Sequence, residues 1–168
     1  MSDKLNWAAD AEYMSYVGDL LAQPAVQKLA DYTQHHHSTR LDHSLSVSYR
    51  SYLLGKKWHL NTRALARAGL LHDLFYYDWR VTKFSLGTHA YVHPRIALRN
   101  AEKITDLSDM EKDIIIKHMW GATLGVPKYR ETWVVSLVDD YAAVDEYFLP
   151  MLHKLRHPHR RLEHEHVG

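Results

Sequence analysis

A histidine–aspartate pair inside an otherwise apolar segment is the feature that most constrains how this chain can fold. Residues 68–77 have the sequence AGLLHDLFYY, which places His72 and Asp73 among large apolar side chains. A helix that is apolar almost all round is expected at the centre of a protein. Because a buried carboxylate without a partner costs several kcal/mol, the pair needs a compensating group. For this pair taken alone, backbone or arginine hydrogen bonds are a more frequent answer than a metal ion.

The same anomaly recurs in three further apolar segments. His43 lies on a helix with an apolar stripe, His118 follows three isoleucines, and Asp139 and Asp140 lie within VVSLVDDYAAV. Each case alone is ordinary, but together four apolar helices bring imidazoles and carboxylates to interior positions. This donor set suits Mn, Fe, Co, Ni or Zn. Shared carboxylates suit two-metal hydrolysis, with ions about 3.5–4 Å apart. The chain has no cysteine, so His, Asp and Glu must supply the ligands.

Hydrophobic periodicity predicts an all-α fold, a single compact helical bundle, because strand signals are weak. Ser108 and Glu111 form a capping-box pattern at the start of one helix. We expect residues 34–39 and 121–128 to be loops, and residues 151–168 to be a polar C-terminal tail. The predicted helices cover residues 7–21, 24–32, 41–55, 62–76, 93–103, 109–119 and 130–148.

Composition narrows the functional classes. The 168 residues carry a net charge of +1, so the strong basic field typical of nucleic-acid binders is absent and a nucleic-acid partner is not expected. The N-terminus has no secretory pattern, and no apolar run reaches the roughly 20 residues that a membrane-spanning helix needs. We therefore expect one cytoplasmic domain without a membrane partner. The sequence leaves homo-oligomer formation open.

The order His43, His72-Asp73, His118 and Asp139 resembles the HD superfamily of metal-dependent phosphohydrolases. The resemblance runs from about residue 41 to residue 147, and the pattern is most similar to small dinuclear members related to diadenosine tetraphosphate hydrolases. It implies an HD core at about 41–147, preceded by N-terminal helices at 7–32. It also implies that one metal ion is bound by His43, His72, Asp73 and Asp139.

Dinuclear members of the superfamily add two histidines between the HD pair and the last aspartate. The segment THAYVHPRIAL is similar to the helix that supplies the first of these, and His93 matches best. His89 is the alternative ligand, or a substrate contact. The segment IKHMWG is similar to the second, which implies His118.

The resemblance implies hydrolysis of a phosphate ester or anhydride, in a nucleotide or another small phosphorylated metabolite. Water bridging two divalent transition-metal ions would be the nucleophile, with His72 and Asp73 as catalytic residues. The ions would be Fe, Mn, Ni, Co or Zn, with Mg as an alternative. We expect Asp42 and Asp140, by adjacency, to orient the histidine ligands.

Phosphate recognition requires cations near the metals. We expect substrate contacts from His89 and from four basic residues, Arg80, Lys83, Lys128 and Arg130. A solvated surface is the ordinary alternative for each of these cations. Arg40, Arg95 and Lys117 also lie near the predicted site. No function is assigned to His35–His37 or to the histidines between 153 and 166.

Two other functions fit the same ligands. A di-iron HD-type oxygenase would bind iron and consume oxygen, and no residue separates it from a hydrolase. A non-catalytic metal- or nucleotide-binding sensor module would be favoured by an incomplete ligand set. Because the set from His43 to Asp139 is complete, we rank catalysis above sensing.

Overall fold

The computed structural model describes residues 6–35, 38–85 and 87–156, and it describes their side chains except at 35 and 146–156. It confirms the all-α prediction. A short antiparallel hairpin of β1 (Thr33–His35) and β2 (Ser38–Thr39) precedes α3. Short 3-10 helices flank α1 and α2 at Trp7–Ala9 and Lys28–Asp31. The α-helices of the described chain are α1 (Ala11–Leu21), α2 (Pro24–Gln27), α3 (Arg40–Trp58), α4 (Thr62–Leu71), α5 (His89–Ala101), α6 (Asp109–Lys117) and α7 (Arg130–Arg156).

Helix α4 forms the centre of the bundle and contacts α1, α3, α5, α6 and α7. Its sequence explains this position, because it is apolar over most of its surface. Leu65, Leu70 and Leu71 are fully buried, together with Leu74 in the turn that follows. Burying a leucine side chain contributes roughly 1.5–3 kcal/mol, so the residues around the HD pair are held firmly in the core.

Several element boundaries differ from the sequence-based expectation, and those near the HD pair matter most. Helix α4 ends at Leu71 instead of residue 76, because Leu74 and Phe75 donate their N–H groups in tight turns to Leu71 and Asp73. The HD pair therefore lies in the turn after the helix and not in its middle. Within the segment 34–39, which we expected to be a loop, residues 34–35 lie on β1 and residues 38–39 form β2. Helix α5 begins at His89, four residues earlier than expected, with Thr88 at its N-cap position.

Helix α7 continues past residue 148, where we expected it to end, and passes Pro150 to reach Arg156. A proline inside a helix removes one backbone hydrogen bond. The following residues, MLHKLR, are mostly good helix formers and favour continuation. The rest of the expected tail, 157–168, lies outside the described residues. Within the described chain, no helix has the length and hydropathy needed to cross a membrane.

Close packing of α3 against α4 depends on Gly69. A Cβ atom at this position would lie 2.9 Å from the Cα of Ser48, which is backbone and cannot move aside. We expect Gly69→Ala to lower the free energy of unfolding by about 1–3 kcal/mol, as overpacking does. Urea denaturation measures this effect. The matched control is Gly18→Ala in α1, where the nearest atom is the Met14 methyl at 3.9 Å. This control should gain about 0.5–1 kcal/mol, and a similar effect of both substitutions would contradict the packing argument.

Candidate metal centre

Six side chains from five parts of the fold converge in the core. They are His43 on α3, His72 and Asp73 in the turn after α4, His93 on α5, His118 directly after α6, and Asp139 on α7. The side chain of Asp139 is 14% exposed, and the other five are nearly or fully buried. All six residues predicted as ligands therefore lie together.

One part of the cluster joins His43, His72 and Asp139. The Oδ1 atom of Asp139 lies 2.8 Å from Nε2 of His43 and 3.4 Å from Nε2 of His72. The imidazole rings of His43 and His72 are 5.5 Å apart between centroids. A single carboxylate oxygen is thus shared by two imidazole nitrogens.

The other part of the cluster joins Asp73, His93 and His118. The Oδ1 atom of Asp73 lies 3.2 Å from Nε2 of His93 and 3.9 Å from Nε2 of His118. Its second oxygen, Oδ2, lies 3.9 Å from Nε2 of His72. The two oxygens of Asp73 therefore face different histidines, Oδ1 towards His93 and His118 and Oδ2 towards His72.

Backbone carbonyls determine which ring nitrogen carries the proton in three of the histidines. The Nδ1 atoms of His72, His93 and His118 lie 2.7, 3.0 and 2.9 Å from the carbonyl oxygens of Gly69, His89 and Ile115. A carbonyl oxygen only accepts, so each Nδ1 must donate. In each neutral ring, Nε2 is then an unprotonated acceptor directed into the cluster. This arrangement is typical of metal-binding histidines.

The resulting Nε2 lone pairs need a cation. Nε2 of His93 and Nε2 of His118 are 2.8 Å apart, so their lone pairs would repel each other without a positive charge nearby. Nε2 of His72 is buried and forms no hydrogen bond within the described residues, where the carboxylate oxygen of Asp139 lies 3.4 Å away. Either bound protons or metal ions would satisfy these three atoms.

Burial and the charges of neighbouring side chains shift the pKa values of the cluster residues in different directions. Burial, together with the neighbouring histidines, lowers the pKa of His118 to about 3. Burial acts the same way on His72, but the charges of Asp73 and Asp139 outweigh it and raise its pKa. Burial would raise the pKa of Asp73 and of Asp139, yet His72 and the other histidines hold both pKa values well below the usual range. Both carboxylates are therefore ionised, and His118 stays neutral.

The cluster fits metal ions by ligand chemistry and by geometry. Three overlapping groups each offer donor atoms within 4.8 Å of one another. Neutral imidazole nitrogens and ionised carboxylates are the donors that divalent transition metals prefer. These buried groups could hold a metal ion. The groups are His43–His72–Asp73, His72–His118–Asp139 and Asp73–His93–His118.

A glutamine that contacts the cluster, and an arginine that contacts this glutamine, were not identified in these roles from the sequence. Gln34 on β1 donates from Nε2 to Oδ2 of Asp73 at 3.0 Å. Its Oε1 accepts from Nε of Arg40 at 2.9 Å. Arg40 was considered for phosphate binding, but its side chain is fully buried and points away from solvent. No motif marks Gln34, because its role depends on the unexpected hairpin.

His89 contacts the cluster of histidines and aspartates but does not join it. Its ring centroid is 4.4 Å from that of His93, and its Nδ1 forms a 3.1 Å hydrogen bond with the hydroxyl of Tyr77. Trp79 and Phe84 pack on the same ring, which is partly exposed. None of the ligand groups of the described chain includes His89. The geometry favours His93 over His89 as the ligand.

The predicted substrate cations are dispersed and exposed. Arg80 is bound to Asp78 at 2.9 Å. Lys83, Lys128 and Arg130 are exposed, and no described contact connects them to the cluster. Arg95 and Lys117 line a groove of about 520 Å³ between α5 and α6.

No described hydrogen bond gives Asp42 or Asp140 the orienting role that we expected. Asp42 forms a capping box with Thr39 at the start of α3, which satisfies its carboxylate locally. Asp140 is exposed, and burial together with the charge of Asp139 raises its pKa. Backbone carbonyls orient three of the histidines instead. Adjacency in sequence was misleading because successive helix positions point about 100° apart.

The low pKa of His89 predicts acid sensitivity of the metal-free protein. Burial, with a smaller contribution from His93, lowers this pKa from 6.5 to about 4. Between pH 6.5 and pH 4 the unfolded chain binds a proton at His89 more tightly than the folded chain does. The contribution of neutral His89 to the free energy of unfolding is therefore fully present above pH 6.5 and is lost as the pH falls towards 4. We expect chelator-treated protein to lose about 1 kcal/mol more between pH 7 and pH 5 than the His89→Gln variant does, after allowance for solvent screening. Urea denaturation at both pH values measures this, and equal losses would contradict the assignment.

Comparison with known proteins gave no match to a family model, to a curated protein or to a solved structure.

Proposed function

We propose that this chain is a metal-dependent phosphohydrolase that cleaves a phosphate ester or anhydride in a small phosphorylated compound. The observation that carries the proposal is the position of Asp73, whose Oδ1 faces His93 and His118 while its Oδ2 faces His72. A carboxylate in this position can serve two ions at once. Two-metal sites with shared carboxylates are typical of enzymes that transfer phosphoryl groups to water. The sequence resemblance to the HD superfamily supports the same activity.

We assign the six residues to two ligand sets that share Asp73, and we place His118, which is also within reach of His72 and Asp139, in the second set. His43, His72 and Asp139 would hold one divalent ion together with Oδ2 of Asp73. His93 and His118 would hold the second with Oδ1 of the same residue. Four histidines make Fe, Mn, Ni, Co or Zn more suitable than Mg, which prefers oxygen donors.

When bound, such ions lower the pKa of water to near neutrality and neutralise charge on phosphoryl oxygens. The protein's own contribution is to keep the two aspartates ionised, to keep His118 neutral and to hold the imidazole rings in fixed orientations. The Nδ1 bonds to backbone carbonyls hold the rings of His72, His93 and His118 in place before any ligand arrives. Preorganisation of this kind avoids a reorganisation cost during the reaction.

Substrate would approach from the side of His89. This ring packs on His93 and is partly exposed, whereas the other predicted substrate residues, Arg80, Lys83, Lys128 and Arg130, lie on the surface. With a pKa of about 4, His89 is neutral at physiological pH and would contact substrate by hydrogen bonding and not by charge.

Metal reconstitution with two parallel readouts tests the proposal. Protein purified without metal-affinity resin would be stripped and reloaded with Mn²⁺, Fe²⁺, Co²⁺, Ni²⁺ or Zn²⁺. Phosphate or nucleotide release would be measured on phosphomonoesters, nucleotides and dinucleoside polyphosphates, with oxygen uptake recorded beside it. We expect metal-dependent product release without oxygen uptake. Oxygen uptake by the iron form would favour the oxygenase, and tight nucleotide binding without product would favour a sensor module.

A further inference from the structure

A buried arginine next to the metal cluster binds neutral oxygens where a carboxylate would be expected. Arg40 is fully buried, and its guanidinium donates to Gln34 Oε1 at 2.9 Å, to the Phe75 carbonyl at 2.7 Å and to the Tyr77 carbonyl at 3.2 Å. No carboxylate within the described chain forms an ion pair with it. Burying a guanidinium without an ion-pair partner costs free energy, so we expect its charge to have a structural or functional role.

The amide of Gln34 connects Arg40 to Asp73 by one hydrogen bond on each side. A guanidinium can only donate, so the oxygen of the Gln34 amide must face Arg40. The amide nitrogen then faces Asp73, and it donates to Oδ2 at 3.0 Å. This bond leaves Oδ1 directed towards His93 and His118, so the amide determines which oxygen serves which histidines.

Arg40 also fixes the backbone on the other side of Asp73. The carbonyls of Phe75 and Tyr77 belong to the segment that follows the HD pair, and both accept from the same guanidinium. The guanidinium carbon lies 3.6 Å from the centroid of the Phe75 ring, which adds a cation–π contact. A single buried side chain therefore restrains the carboxylate of Asp73 through Gln34 and its backbone through the following turn.

The β1–β2 hairpin explains how these residues meet. Gln34 lies on β1 and Arg40 is the first residue of α3, so the hairpin returns the chain and brings the two side chains together. The backbone N–H of Arg40 donates to the Tyr32 carbonyl at 2.8 Å and closes this arrangement.

We propose that Arg40 and Gln34 are positioning residues that hold Asp73 across both ligand sets and so determine how tightly the metal ions bind. This inference rests on the proposed metal-dependent function. Residues that hydrogen-bond to metal ligands commonly alter metal affinity by about 10–100-fold when they are replaced. The position of Asp73 is central because it is the ligand that both ions would share.

Cobalt titration of the stripped protein tests the inference without measuring turnover. Gln34→Met keeps the length of the side chain but cannot donate to Asp73 or accept from Arg40. We expect its dissociation constant for Co²⁺ to rise about 10–100-fold and its visible Co²⁺ spectrum to change, with far-UV circular dichroism as the check on folding. Arg40→Lys keeps the charge but loses the planar group of donors, and it should change Co²⁺ binding in the same direction.

Gln23→Met is the matched control, because no side-chain hydrogen bond caps α2 from this residue. It should bind Co²⁺ as the wild type does. If folded Gln34→Met also matches the wild type in both affinity and spectrum, the positioning role is overturned while the metal site stands. If the wild type itself binds no Co²⁺, Mn²⁺ or Zn²⁺, the proposed function fails and the positioning role fails with it.

Discussion

Replacement of Asp73 by Asn is expected to reduce metal-dependent phosphate release by about 10³-fold or more. The substitution keeps the size of the side chain but removes its negative charge and replaces one oxygen donor with an amide nitrogen. The substitution affects both ligand sets, because Asp73 faces His72 on one side and His93 on the other. One set loses its oxygen donor, and the other keeps an oxygen that no longer carries negative charge. Losing a single preorganised charge-stabilising group already costs about 10²–10³-fold in well-studied enzymes.

Single-turnover and steady-state assays on the metal-reloaded proteins would measure this effect. Asp106→Asn is the matched control, because Asp106 is exposed and precedes α6 away from the cluster. The control should keep wild-type activity. Retention of more than about a tenth of the activity by Asp73→Asn would show that the shared carboxylate is not required.

Arg67→Met is expected to lower the free energy of unfolding by about 3–5 kcal/mol, the largest stability effect that we predict. The Arg67 side chain is 4% exposed and donates to Glu111, which is 2% exposed, at 3.2 Å. It also binds the Tyr16 carbonyl and the Asp19 carboxylate on α1, at 2.9 and 3.0 Å. Removing the arginine leaves the Glu111 carboxylate buried without its closest cation, which is the costly part.

Urea denaturation of the metal-free protein would separate this effect from metal binding. Arg63→Met is the control, because Arg63 is 58% exposed and lies 3.9 Å from the same Glu111 carboxylate. Exposed pairs of this kind contribute about 0–1 kcal/mol. If the two variants lost similar stability, the buried network around Arg67 would not be important for holding α1, α4 and α6 together.

The sequence was most informative where polar residues interrupt apolar helices. His43, His72, Asp73, His118 and Asp139 could be identified because the residues around them are apolar and were expected to be buried, whereas His93 was expected only from the resemblance to the HD superfamily. The helix periodicity also gave the all-α fold. Such residues stand out because burial of an unpartnered polar group is costly.

The parts that the sequence did not predict depend on backbone geometry. The end of α4 at Leu71 results from turns that the apolar run LLHDLFYY does not reveal. The Nδ1 partners of His72, His93 and His118 are backbone carbonyls, which every residue has, so adjacency of Asp42 and Asp140 to the ligands did not predict them. Gln34 became visible only through the hairpin, since glutamine in a polar segment carries no pattern of its own.

The substrate residues were the least predictable group. Arg80 binds Asp78, and Lys83, Lys128 and Arg130 are exposed, so a count of cations near the predicted site did not identify a phosphate-binding set. Long basic side chains extend into solvent from almost any surface position. Their contribution to recognition stays a prediction that the substrate panel would test.

Metal content per chain tests the central claim most directly. Elemental analysis would compare wild-type protein and Asp73→Asn, both purified without chelator or metal-affinity resin. We expect about two transition-metal ions in each wild-type chain and a marked loss in the variant, because Asp73 would serve both ions. A wild-type protein that holds no metal, even after incubation with Mn²⁺, Fe²⁺ or Ni²⁺, would contradict the account.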